Sequence, residues 1–151
     1  MSDPTLKEQI HDELTAAMKS GDKVRLATLR MLTAAVVNRE KDVLHELTDD
    51  EVREVAAREV KRRTESIEAF RQGNRADLVE KETAERAILE AYAPEQLSEA
   101  DVDALIDEAI AATGAGSPKE LGKVMGAVMA KAKGKVDGSV VQAKVRERLG
   151  A

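Results

Sequence analysis

The 151-residue chain contains no cysteine. That excludes disulfides, thiol nucleophiles and cysteine-ligated metals. It also has no tryptophan, and its aromatic residues are one phenylalanine, Phe70, and one tyrosine, Tyr92. Readers of single-stranded nucleic acid stack bases on aromatic rings, and this chain lacks the rings for that mode. No apolar run approaches the ~20 residues of a membrane span, and the opening MSDPTLKEQ holds no apolar signal core. A cytoplasmic protein that meets no membrane is the resulting expectation. The two histidines, His11 and His45, stand apart from any nucleophile, and no HExxH, P-loop, GxGxxG or GxSxG motif occurs. No catalytic residue, metal ligand or cofactor is expected, and the chain reads as a non-enzyme.

What is present is helical in character. Three prolines, nine glycines and a 35% charged fraction fit a helical protein. With 24 alanines, the interior must be built from Ala, Val, Leu and Ile. Punctuation predicts about seven helices. Asp3-Pro4 opens the first, with Leu6, Ile10, Leu14 and Met18 four residues apart, and Gly21 stops it. Asp22 caps a second helix carrying Val24, Leu29, Leu32 and Val36. Thr48 and Glu51 form a capping box for a third, which runs through Val55, Val60, Ile67 and Phe70 to Gly73. A fourth covers Ala76 to Tyr92, where Pro94 follows. The same grammar then restarts: Ser98 with Asp101, a stripe through Leu105, Ile106, Ala109 and Ile110, then Gly114. Ser117, Pro118 and Glu120 read as the strongest helix start in the chain, and Val140 to Leu149 as a last short helix. Nothing alternates with period two. The predicted fold is all-α and multihelical, with two different helical subdomains: residues 1–93, and a three-helix bundle over residues 94–151.

Charge is unevenly placed. Residues 93–116 hold six acidic side chains and no basic one, whereas residues 117–148 hold eight basic and three acidic ones, in a chain of net charge −5. The basic block contains SPKELGKVMGAVMAKAKGKVDGSVV, residues 117–141, with five lysines and with Gly122 and Gly126 inside a helical pattern. Each such glycine costs about 1 kcal/mol of helix stability relative to alanine. On a wheel at about 100° per residue, Leu121, Val124, Met125, Val128 and Ala132 form a core stripe, while the glycines edge that stripe on the side of Lys119, Lys123 and Lys133. Two explanations stand at this point. The glycines let a neighbouring helix pack closely, or they open a lysine-flanked surface to a phosphate backbone, with Lys135 and a flexible Gly134 extending it. A second basic cluster, Lys61, Arg62, Arg63 and Arg75, either joins that surface or pairs with Glu59, Glu65, Glu82 and Glu85.

The blocks DKVRLATLRMLTAAVVNRE, REVKRRTESIEAFRQGNRADLVEKE, YAPEQLSEADV and SPKELGKVMGAVMAKAKGKVDG, in this order, make the chain resemble the GatB/YqeY family. That family joins free-standing YqeY-like proteins of bacterial type to the tail domain of GatB, a component of glutamyl-tRNA(Gln) or aspartyl-tRNA(Asn) amidotransferase. Family members usually read Leu-Pro where Ala93-Pro94 stands here, and often carry a proline near Ala130. The resemblance implies two helical subdomains, of which the C-terminal one contacts tRNA. It brings a glutamine-dependent carbon–nitrogen ligase label, although the catalytic domains of those enzymes are not in this chain. The expected function is thus a non-catalytic module that binds tRNA or another folded RNA and assists tRNA-dependent amidation. A protein partner in aminoacyl-tRNA metabolism is also expected. The residues expected to bind RNA are Lys119, Gly122, Lys123, Gly126, Lys131, Lys133, Gly134 and Lys135. The rival reading is a helical adaptor that binds proteins, with its acidic and basic stretches each meeting a partner.

Overall fold

In the computed structural model, which describes residues 3–150, all regular structure is helical. Seven α-helices occur among the described residues: α1 (Leu6–Ser20), α2 (Lys23–Val43), α3 (Asp49–Gln72), α4 (Ala76–Glu90), α5 (Glu99–Thr113), α6 (Leu121–Ala132) and α7 (Gly138–Arg148). The fold is all-α. One compact unit ends at Pro94 and a second begins at Glu95. No described helix is long and apolar enough to cross a membrane.

Local signals set most helix ends. Asp22 accepts a hydrogen bond from the Arg25 amide, and Ser98 accepts one from the Asp101 amide. Thr48 and Glu51 close a reciprocal capping box. Gly21 and Gly114 end their helices at φ +76° and +67°, a left-handed conformation that costs glycine little. Two starts differ from the sequence expectation. The cap of α1 is Thr5, whose hydroxyl accepts from the Glu8 amide, not Asp3-Pro4. Ser117 makes no capping bond, and residues 118–120 wind as a 3-10 turn. The Glu120 carboxylate instead accepts from the Gly116 amide at 2.6 Å, which holds the approach to α6.

The core of the N-terminal unit joins Leu6 and Ile10 of α1, Leu29, Leu32 and Val36 of α2, Val52 and Val55 of α3, and Leu89 of α4. Burying each such side chain contributes roughly 1.5–3 kcal/mol. Met18, expected in the core, is 52% exposed, and Ala17 is buried in its place. A four-residue repeat drifts about 40° per step, so by Met18 it has left the face that Leu6 began, whereas Ala17 lies about 20° from Leu6. Val24 is exposed because it sits about 140° from Leu29 on α2. Phe70 is half-buried and outside both cores, so Tyr92 is the single core aromatic. The Tyr92 hydroxyl donates to the Glu13 carboxylate.

α3 and α4 form the most extensive helix pair. Arg63, only 7% exposed, is at its centre. Its Nε–H donates to Glu85 at 2.9 Å and stands 3.3 Å from Glu82; its Nη1–H donates to Glu59 at 3.4 Å, and Nη2–H to the Met31 sulfur at 2.9 Å. One guanidinium therefore serves three carboxylates. Arg62 at 3.2 Å from Glu59 and Lys81 at 3.9 Å from Glu85 add charge from the surface.

In the C-terminal unit the stripe Val102, Ile106 and Ala109 of α5 meets Val124, Val128 and Ala132 of α6 and Val141, Val145 and Leu149 at α7. These i, i+3 and i, i+4 spacings match the helical period, and the small side chains suit a thin three-helix core. The Leu97 amide donates to the Lys135 carbonyl at 2.9 Å, tying the chain before α5 to the turn after α6.

Arg63→Met should destabilise the protein by about 3–5 kcal/mol near neutral pH, because three carboxylates lose their shared cation. Urea titrations of the variant and the parent protein at neutral pH would reveal the loss. A fragment of residues 95–151 should remain helical with a cooperative but modest thermal transition, since its core is self-contained yet small. A non-cooperative circular dichroism melt would contradict that.

Candidate nucleic-acid interface

The basic block of residues 117–148 is divided by structure into two groups. One group is consumed inside the unit by the acidic helix α5. Lys131 stands 2.6 Å from Glu108. Lys144 donates to Glu99 and Asp103, both at 3.0 Å, and Asp103 chiefly, then Glu99, holds its ammonium above the ordinary value of 10.5. Arg148 lies 3.2 Å from Asp103 and also pairs with Asp107. The acidic stretch and part of the basic stretch thus meet each other. That removes the observation favouring an adaptor whose two charged stretches each wait for a partner. It also sets Lys131 apart from the other expected binding residues. Lys131 lies about 80° round the helix from Leu121 on the side away from the glycines, which is where α5 can reach it.

Lys119, Lys123 and Lys135 form the second group. All three are exposed, and none makes an ion pair among the described residues. Within α6, Gly122, Lys123 and Gly126 share the surface opposite Val124 and Val128, which are buried. A Cβ built on Gly122 or Gly126 meets nothing within 4 Å. The close-packing explanation of these glycines therefore fails: no neighbouring helix approaches them. Both stand in open space on a helix that alanine would stabilise.

The wheel drawn from sequence extends further than the helix does. Lys119 lies in the 3-10 turn before α6, and Lys133 is the C-cap, at φ −55° and ψ 125°, so neither keeps a helical bearing. Gly134 sits in the turn that follows α6. It holds φ +78°, and its carbonyl accepts from the Gln96 side chain at 2.9 Å, while the Lys135 amide donates to the Ala132 carbonyl. The expected residues consequently form two clusters, Lys119 to Gly126 at the start of α6 and Lys133 to Lys135 at its end. Seven residues, roughly 10 Å of helix rise, separate Gly126 from Lys133. Arg146 on α7 is a further exposed cation without an ion pair among the described residues. Its isolation depends on α5, so local sequence held no signal for it.

The second basic cluster is largely self-satisfied. Arg63 is buried among carboxylates, Arg62 pairs with Glu59, and Arg75 pairs with Asp77 at 3.3 Å in place of the expected glutamates. His11 is exposed, and His45 contacts the Glu46 carbonyl at 2.9 Å and Glu51 at 3.5 Å, with no hydroxyl nucleophile in those contacts.

These features define a class: an all-α protein of two compact helical units, the second presenting paired glycines between lysines. The chain belongs to the YqeY-like protein family, whose match spans residues 7–149. It is 34% identical over 146 residues to "Altered inheritance of mitochondria protein 41, mitochondrial" of Pyrenophora tritici-repentis, covering 95% of this chain and 80% of the relative. It is 33% identical over 97 residues to the protein of the same name in Lachancea thermotolerans, covering 62% of this chain and 52% of that one. An uncharacterised protein of Schizosaccharomyces pombe is 33% identical over 95 residues, 63% of this chain and 77% of the relative. All three relatives are fungal, and two are named as mitochondrial, which corrects the cytoplasmic expectation. Charge, missing cysteine and missing apolar runs do not separate one compartment from the other. Neither do these relatives mark the chain as bacterial in type.

The open glycines make a direct prediction. Gly122→Ala and Gly126→Ala should each raise stability by about 0.5–1 kcal/mol, read as a higher urea midpoint. A fall in stability would reinstate close packing.

Proposed function

We propose that the C-terminal unit is an RNA-binding module for tRNA or a similarly folded RNA, and that the chain has no catalytic site of its own. The observation that carries this reading is the open pair Gly122 and Gly126 beside Lys119 and Lys123. Their helix forgoes stability where no internal contact asks for it. Lysines neutralise phosphates, and residues without side chains let a sugar–phosphate backbone approach. Lys133, Gly134 and Lys135 form the second contact, at the far end of α6. With Tyr92 buried and Phe70 half-buried, recognition rests on shape and phosphates, the mode suited to folded RNA. The resemblance of SPKELGKVMGAVMAKAKGKVDG to the tail of GatB supports tRNA as the RNA. It sets the module beside an enzyme that modifies aminoacyl-tRNA, which is the protein partner this reading requires.

Filter binding of unmodified tRNA across a potassium chloride series tests it. Affinity should fall steeply with salt, with roughly one counterion released per lysine contact. Replacing Lys119 and Lys123 by alanine should weaken binding and reduce the slope by about two. Gly126→Leu should block binding by bulk while its melting temperature holds or rises, since open space surrounds the position. Binding left intact by both changes would end the proposal.

A further inference from the structure

The N-terminal unit has a cleft of its own, between α2 and α3, with a volume of about 540 Å³. Ala35 and Val55 contribute its apolar lining. Four cations line it: Arg39 from α2, and Arg58, Lys61 and Arg62 from α3. Arg58 and Arg62 are one turn apart, so both point to the same side of α3, and Arg39 comes from the other wall. Three carboxylates also line the cleft, Asp42, Glu59 and Glu65. Glu59 is committed already, to Arg62 at 3.2 Å and to the buried Arg63 at 3.4 Å.

Arg39, Arg58 and Lys61 form no ion pair among the described residues. That is not for want of acids. Residues 1–94 carry 16 basic and 20 acidic side chains, an excess of four negative charges. Elsewhere in this unit Lys7, Arg53 and Arg71 each find a carboxylate within 3.3 Å. Unpaired cations have gathered in one concave place on an acidic unit. Guanidinium groups present planar, paired donors that match phosphate oxygens, and two helices here supply three of them. The volume falls within the range of about 300–1,000 Å³ that small-molecule sites occupy, so the rest of a phosphorylated ligand has room beside the group. Four cations against three carboxylates leave one positive charge in excess, which suits one phosphate and not a run of them.

We propose that the α2–α3 cleft is an anion site that takes a single phosphate group, held by Arg39, Arg58 and Arg62 with Lys61 adding charge. The site is independent of the lysine–glycine surface of the C-terminal unit. Its phosphate is either the monoester of a small ligand such as a nucleotide or a phosphodiester of RNA.

Nuclear magnetic resonance on the full chain tests this through the side-chain Nε–H signals of the three arginines. Adenosine monophosphate and a short oligouridylate without terminal phosphates are titrated separately, with sodium chloride at matched ionic strength as the control. Saturable shifts of these signals with the monophosphate support the site and name a phosphomonoester. Shifts with the oligouridylate alone support it and name a phosphodiester. Arg39→Gln and Arg58→Gln, both on accessible side chains, should weaken the response roughly tenfold or more. The protein carrying Lys119→Ala and Lys123→Ala should keep the response unchanged. No saturable shift with either probe, an equal shift with sodium chloride, or full affinity in both glutamine variants would overturn the proposal.

Discussion

The guanidinium of Arg63, shared among Glu59, Glu82 and Glu85, is the interaction on which the N-terminal unit depends. A core made of alanine and aliphatic side chains is non-directional, and with one buried aromatic it offers few shapes that fit in only one way. Two long helices packed through such surfaces have several near-equal registers. A buried ion cluster removes that freedom, because sliding α3 along α4 by one turn would separate Arg63 from Glu82 and Glu85 and leave charges unpaired in a poorly solvated place. Its contribution is chiefly to choose one arrangement, since desolvation offsets much of the Coulomb gain. The Arg63 contact to the Met31 sulfur brings α2 into the same arrangement.

Electrostatics has a second, different role in the C-terminal unit. There the charged side chains are more exposed, and the ion pairs of Lys131, Lys144 and Arg148 with α5 contribute little individually. What they do is sort the cations. Lys131, Lys144 and Arg148 pair with α5, whereas Lys119, Lys123, Lys135 and Arg146 make no ion pair among the described residues. A unit with eight basic residues between positions 117 and 148 therefore presents a few, in defined positions, next to two glycines that leave the backbone open. The proposed binding surface is defined as much by which lysines are withdrawn from it as by which remain.

The family match runs through both units of this chain, from residue 7 to residue 149. The similarity to the Pyrenophora tritici-repentis protein covers 95% of the chain and so extends over α6. The relatives' mitochondrial names place those proteins in a compartment that composition does not report.

The helices and their ends were legible in the sequence because capping acts over three or four residues. Asp22, Thr48 with Glu51, Ser98, Gly21 and Gly114 all act where the local pattern puts them. Two starts are exceptions: Thr5 caps α1 in place of Asp3-Pro4, and at Ser117 the nearby Gly116 amide engages Glu120 and the turn winds in 3-10 form. The core stripes were legible wherever the spacing followed 3.6 residues per turn, and failed at Met18, where a strict four-residue spacing drifts off the face. The candidate site was legible as a composition and not as a surface. Lys131 and Lys123 look alike in a lysine-rich stretch, yet Glu108, 23 residues away in the chain, pairs with one of them. Whether Gly122 and Gly126 serve packing or exposure depends on what lies within 4 Å of them, and that is decided by how α5 and α7 dock on α6. Arg39 and Arg58 become neighbours only when α2 folds back against α3. Helix formation is governed by contacts a turn apart, so the sequence determines it directly. Pairing, exposure and concavity are governed by contacts between distant segments, and the tertiary structure alone decides those.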